Sequence, residues 1–178
     1  MIVLLNIETK RRAFRTAERF DNKSYEGNNN LIVEKEHNLL SRYVSCLSEE
    51  AWGIASSMEP NREFREGGDD GYDFMFHVDG QPKTIDVKAS DGRGKNWKRF
   101  RLPGATMDPD KLTCDFYVFA IVQADHVNFR GWITGEDFRA KGSVQLLRGY
   151  TWAIGQQFLQ PVETLIGFIR SSRRLAGG

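Results

Sequence analysis

A chain of 178 residues suits one domain with a sizeable core and is short for two, so a single domain over 1–178 is expected. The composition, 40% hydrophobic and 28% charged with 12 Phe and 4 Trp, excludes a disordered chain. A net charge of +1 gives no global pull toward nucleic acid or an anionic membrane. The two cysteines, Cys46 and Cys114, stand far apart with no Cys-x-x-Cys spacing. That argues against a zinc knuckle or a disulfide framework and fits a reducing, cytoplasmic setting.

The opening MIVLL is apolar but only five residues long, too short for a signal peptide or a membrane span, and reads as an N-terminal strand or the start of a docked segment. No membrane partner is expected. Residues 8–20 place Ala13, Phe14, Ala17 and Phe20 at helical spacing among basic residues, which predicts an amphipathic helix. DNKSYEGNNN reads as a loop. From Leu31 to Ser56 the helical spacing resumes through Leu39, Leu40, Tyr43, Cys46, Leu47, Ala51 and Ile54, predicting two helices broken near Ser48. A polar connector follows, from Met58 to Gly71, where Asp69 and Asp70 beside glycines shape a turn.

The texture then changes to strand. Asp73–Val78 and Lys83–Ala89 flank DGQP and predict a hairpin, and RFRLP is a candidate third strand. DPDKL opens a loop before DFYVFAIVQ, whose unbroken apolar run suits a central strand covered on both faces. FRGWIT is a further strand, Thr134 is placed to cap a short helix at GEDFRAK, and QPVETLIGFIRSS is a closing helix with Pro161 near its first turn. The succession of helices, hairpin, strands and helices predicts an α/β fold with a mixed sheet.

The hairpin concentrates unusual charge. With its turn centred on Gly80 and Gln81, Asp73 falls across from Lys88 or nearby, and the period of two puts Thr84, Asp86 and Lys88 on one face of the returning strand. Carboxylates held a few ångströms apart repel unless a cation intervenes. A hard Mg²⁺ or Mn²⁺ removes that penalty, and the backbone carbonyl of Val87 could add a ligand. Lys88 could then orient or deprotonate a water and offset charge building on a phosphate. The next segment, RGKNWKRFR, is basic, so Arg93, Lys95, Lys98, Arg99 and Arg101 are candidate phosphate contacts, with Trp97 and Phe100 able to stack on bases. Arg170, Arg173 and Arg174 add basic charge at the other end. His77 falls on the alternating face with Asp73 and Met75 but near the turn, and reads as an exposed strand histidine; His37 and His126 have no partner at ligand spacing, and Trp132 reads as core.

GYDF with Asp73, followed after one hairpin by IDVK with Asp86 and Lys88, resembles the PD-(D/E)XK, or restriction-endonuclease-like, nuclease superfamily. SEEAWGIAS, residues 48–56, is similar to the acidic helix of its small phage and resolvase-like members, and the resemblance spans about residues 45–140. It implies a restriction-endonuclease-like core, a mixed central sheet flanked by helices. It also implies that Glu49, Asp73 and Asp86 bind one or two Mg²⁺ ions, with no organic cofactor, while Lys88 positions the attacking water. DNA would be the substrate, cut in line to a 5′-phosphate and a 3′-hydroxyl in replication, recombination or repair. A homodimer is possible, and a phage-encoded chain would act in the host cytoplasm. Tyr72 stands where the family motif has Pro, and Ser48 where related helices often have Gly. Glu50 or Glu36 could replace Glu49. The alternatives are a non-catalytic nucleic-acid-binding module on the same fold and a sequence-specific restriction endonuclease.

Overall fold

The computed structural model describes residues 1–25, 32–62, 71–92, 101–103, 108–146 and 150–176; within these, the side chains of 21–25, 32–38, 101–103, 146, 150, 175 and 176 fall outside the description. Two segments pair across a long sequence gap at the start. β1 (Ile2–Leu4) is the expected N-terminal strand, and it lies antiparallel to β6 (His126–Thr134). α1 (Ile7–Tyr25) and α2 (Ile32–Ser56) follow. α1 runs five residues into the stretch read as a loop. α2 is one helix, where a break near Ser48 was expected, because the buried Ser48 hydroxyl donates to Ser45 O at 2.7 Å and so satisfies itself without leaving the helix.

β2 (Phe74–Val78) and β3 (Gln81–Asp91) form the hairpin, and β5 (Phe116–Val122) runs parallel to β3. The five-stranded sheet has the order β1-β6-β5-β3-β2, mixed because only the β3/β5 pair is parallel. β5 sits at its centre, as its apolar run requires. Val118, Ala120 and Val122 face a core built with Ala13 and Ala17 of α1, with Leu47, Ala51 and Trp52 of α2, and with Leu165 and Ile169 of α4 (Val162–Ala176). Tyr117 and Phe119 face a second core with Phe138 of α3 (Gly135–Lys141). Thr134 caps α3, its hydroxyl accepting from Asp137 N at 3.1 Å.

β6 changes faces halfway along. The register shift beside Phe119 and Ala120 leaves Arg130 as an extra residue, so Val127 and Phe129 enter the first core and Ile133 the second. Gly131 takes φ +152° there, and a Cβ on it would meet Leu159 Cβ at 2.6 Å and Gln160 O at 2.7 Å. A three-stranded antiparallel sheet, β4 (Arg101–Pro103), β8 (Tyr150–Gly155) and β7 (Ser143–Leu146), adds Ile154 to the second core. Only β4 was anticipated. Arg170 and Arg173 of α4 donate to Ala55 O at 3.3 Å and Ser57 O at 2.8 Å, where α2 ends without a basic residue of its own. These two tail arginines serve the fold.

Asp115 fastens the start of the parallel pair. Its carboxylate accepts from Lys83 Nζ at 2.8 Å, Thr84 N at 2.9 Å and Thr84 Oγ1 at 3.1 Å. Burial opposes its ionisation, but the hydrogen bonds from Lys83 and Thr84 outweigh that and hold the carboxyl below its usual range. Asp115→Ala is expected to cost roughly 1–2 kcal/mol in urea unfolding at pH 7, a charged-hydrogen-bond effect reduced by solvent exposure. A depressed carboxyl stabilises above its unfolded value and loses that contribution as pH falls through its folded one, so the variant and wild type should converge below about pH 4.

Candidate active site

The hairpin turn sets the geometry. Asp79 and Gly80 take φ +50° and +76°, the paired left-handed residues of a two-residue turn for which Asp-Gly is a preferred sequence. Val78 therefore pairs with Gln81 and Phe74 with Ile85, the last pair of the ladder, and Asp73 stands just before it, where the charge of Asp86 acts on its carboxyl. This shifts by one residue the turn read from the sequence, which had Asp73 facing Lys88.

β2 ends at this point and the Asp73 side chain carries the ladder on. Asp73 N donates to Ile85 O at 2.8 Å, and Asp73 Oδ2 accepts from Val87 N at 2.6 Å. Because the N–H and C=O of one strand residue point to the same edge, the Val87 carbonyl lies on the edge that Asp73 occupies. Ile85 and Val87 are buried in the first core, while Asp86 and Lys88 project from the opposite face, where their β5 partners are Tyr117 and Phe119. Lys88 Nζ lies 2.5 Å from Asp86 Oδ2. Burial works against the Lys88 charge, but Asp86 beside it, and then Asp73, hold the ammonium above the ordinary lysine range.

Asp73 experiences the reverse. Burial, then the negative charges of Glu49 and Asp86, push its carboxyl well above the usual range, and the Val87 N–H and Lys88 do not cancel them. Glu49 reaches this neighbourhood from α2 and also opposes ionisation of Cys46. The adjacent Glu50 is committed elsewhere. Its side chain is 7% exposed, with Oε2 3.1 Å from Arg12 Nη2 of α1 and Oε1 paired to Arg62 Nη2. Arg62 Nη1 also donates to Thr16 Oγ1 at 2.9 Å, and its neighbour Asn61 donates from N to Asp73 O at 2.7 Å. An ionic knot thus sits one residue from Glu49 on one side and one hydrogen bond from Asp73 on the other. The Glu36 side chain lies outside the described residues.

Asp73 is the common member of the group, acted on by the charges of both Glu49 and Asp86. Among the described residues no three His, Cys, Asp or Glu side chains form a ready-made cage for an ion. The donor chemistry nevertheless fits a hard divalent cation: carboxylate oxygens, one of them disfavoured from ionising by its like-charged neighbours, and a backbone carbonyl. Burial, then Asp86, pushes the Cys114 thiol up to about 12, and burial, then Glu49, raises Cys46 further, so neither offers a thiolate to a softer metal.

Some participants were not foreseen. Cys114 Sγ donates to Gly71 O at 2.8 Å and ties the entry of β5 to the segment leading into Asp73. Neither it nor the Arg12–Glu50–Arg62 knot carries a local sequence signal, since each joins distant segments. Arg93, Lys95, Lys98 and Arg99, with Trp97 and Phe100, lie outside the described residues, as do Asp69 and Asp70; Arg101 is described only in its backbone, which begins β4. His77 is exposed, His126 Nδ1 is 2.7 Å from Asp125 Oδ1, and Trp132 is half-buried with its Nε1 donating to Thr164 Oγ1 at 2.8 Å. Among the described residues no helix is long and apolar enough to cross a membrane. No family model matches the chain, and no curated protein or solved structure is similar enough to be matched.

Asp73→Asn keeps an oxygen for Val87 N–H and removes the repelled charge. In EDTA at pH 7–8 its melting temperature is expected to exceed that of wild type by about 2–4 °C, the shift that ~1 kcal/mol makes in a domain of this size. A raised carboxyl favours folding only while protonated, so its contribution is present below the unfolded value and lost as pH rises toward the folded one; the gain should close near pH 4. In the same assay Glu50→Ala strands Arg62 in a partly buried setting and is expected to cost about 3 kcal/mol.

Proposed function

We propose that the chain is a metal-dependent nuclease that hydrolyses DNA phosphodiester bonds from a restriction-endonuclease-like core. The observation that supports this reading most is the position of Asp73, bonded to Val87 N at the head of the hairpin and within electrostatic reach of both Asp86 and Glu49, with the Lys88 ammonium beside Asp86. Asp73, Asp86, Glu49 and the Val87 carbonyl would hold Mg²⁺ or Mn²⁺, which supplies Lewis-acid chemistry at a phosphate.

The chain's own groups then have distinct duties. Lys88, kept protonated by Asp86, donates hydrogen bonds and neutralises charge that grows on the phosphoryl oxygens as water attacks; the raised ammonium suits orientation and charge stabilisation rather than proton abstraction. Asp73 organises the site twice, through its carboxylate and through its hold on Val87 N–H. The Glu50 knot keeps Glu49 and the approach to Asp73 in place. By its resemblance to phage and resolvase-like enzymes, the protein would process replication, recombination or repair DNA, as a monomer or homodimer in the cytoplasm.

Linear, circular, single-stranded and four-way-junction DNA incubated with Mg²⁺, Mn²⁺ or EDTA tests the proposal. Cleavage is expected with either metal, none in EDTA, and rates at least about 10²-fold lower for Asp86→Ala and Lys88→Ala, the scale of losing one electrostatic stabiliser. Identical products from wild type and both variants would contradict hydrolysis at this site.

A further inference from the structure

Most arginines with described side chains are occupied by the fold. Arg12 and Arg62 hold Glu50, Arg130 donates to Gln156 Oε1 at 2.6 Å, Arg139 to Leu112 O, and Arg170 and Arg173 cap α2. Arg15 and Arg19 differ: both are exposed on α1, and neither makes a hydrogen bond or ion pair among the described residues. They lie one turn apart, about 6 Å along the axis at 1.5 Å per residue, so both guanidiniums share one side of the helix. That side is fixed by the fold. Ala13 and Ala17 are buried against α2, while Arg12 and Thr16, each three residues before one of the pair, turn toward Glu50 and Arg62. The acids on the helix whose side chains are described do not neutralise the pair. Glu8 lies 4.0 Å from Arg11, and the exposed Glu18 approaches neither arginine closely enough for an ion pair.

We propose that Arg15 and Arg19 form a phosphate-binding ribbon that holds the nucleic-acid backbone beside the helix carrying Glu49. The proposal extends the nuclease reading by naming a second substrate contact, on α1, separate from the basic segment after the hairpin. Two guanidiniums one helical turn apart suit successive charges on a backbone, and arginine binds phosphate through paired donors. No base is read by such a contact, so it adds affinity without sequence preference.

The test needs no turnover. Fluorescence anisotropy of a labelled DNA duplex is followed with the full-length protein in EDTA over a range of NaCl concentrations, for wild type, Arg15→Gln/Arg19→Gln and Arg174→Gln. The double variant, with unchanged melting temperature, is expected to bind about tenfold more weakly and to flatten the slope of log affinity against log salt by roughly 1.8, two phosphates at about 0.9 each. Arg174→Gln should bind as wild type does. An unchanged slope in the double variant, or an equal loss in Arg174→Gln, would overturn the ribbon. Equal competition by polyglutamate of matched charge would also overturn it, in favour of an acidic protein partner. Cleavage in Mg²⁺ is scored separately: binding that depends on Arg15 and Arg19 without hydrolysis would sink the nuclease reading and leave the ribbon standing, and hydrolysis with wild-type binding in the double variant would do the opposite.

Discussion

The register of one hairpin governs everything at the candidate site. A turn with two left-handed residues, Asp79 and Gly80, sets a ladder that ends at Phe74 and Ile85 and lets the Asp73 carboxylate replace a missing backbone partner for Val87. The same register leaves Asp73 within electrostatic reach of two further carboxylates in a setting that penalises charge. A slip of one residue would turn Asp86 and Lys88 into the core and expose Ile85 and Val87, so the hydrophobic face of β3 protects the arrangement of charges on the other.

Adjacent glutamates on α2 divide into opposite kinds. Glu50 is buried but answered by two guanidiniums from different segments, the condition under which a buried carboxylate can be tolerated. Glu49, one residue around the helix, adds to the excess negative charge near Asp73. The fold thus answers Glu50 with two guanidiniums and brings the charge of its neighbour to bear on Asp73. The crowding costs stability, and a cation would relieve it. Arg12 links this economy to α1, whose next exposed arginines lie along the same side of the helix.

Several of these features were legible in the sequence for local reasons. DGQP between alternating strands announced the hairpin though not the centre of its turn, the apolar run of 116–122 announced a doubly covered strand, and Thr134 announced the start of α3. The face shared by Asp86 and Lys88 followed from the period of two. What was missed depended on distant partners. Nothing near Ser48 says that its hydroxyl will turn back on Ser45, and nothing in a pair of glutamates says which will meet Arg12 and Arg62. β7 and β8 are short, and Val144 is 48% exposed, so their pattern is weak until β8 pairs with both β7 and β4.

The central claim is that Asp73 is held by its neighbours in a state that only a proton or a cation relieves. Carbon-13 NMR titration of its side-chain carboxyl, in EDTA and again with saturating Mg²⁺, measures this directly. The account expects a midpoint well above that of an ordinary aspartate in EDTA and a marked fall when the metal is added. A midpoint in the ordinary range, indifferent to Mg²⁺, would contradict it.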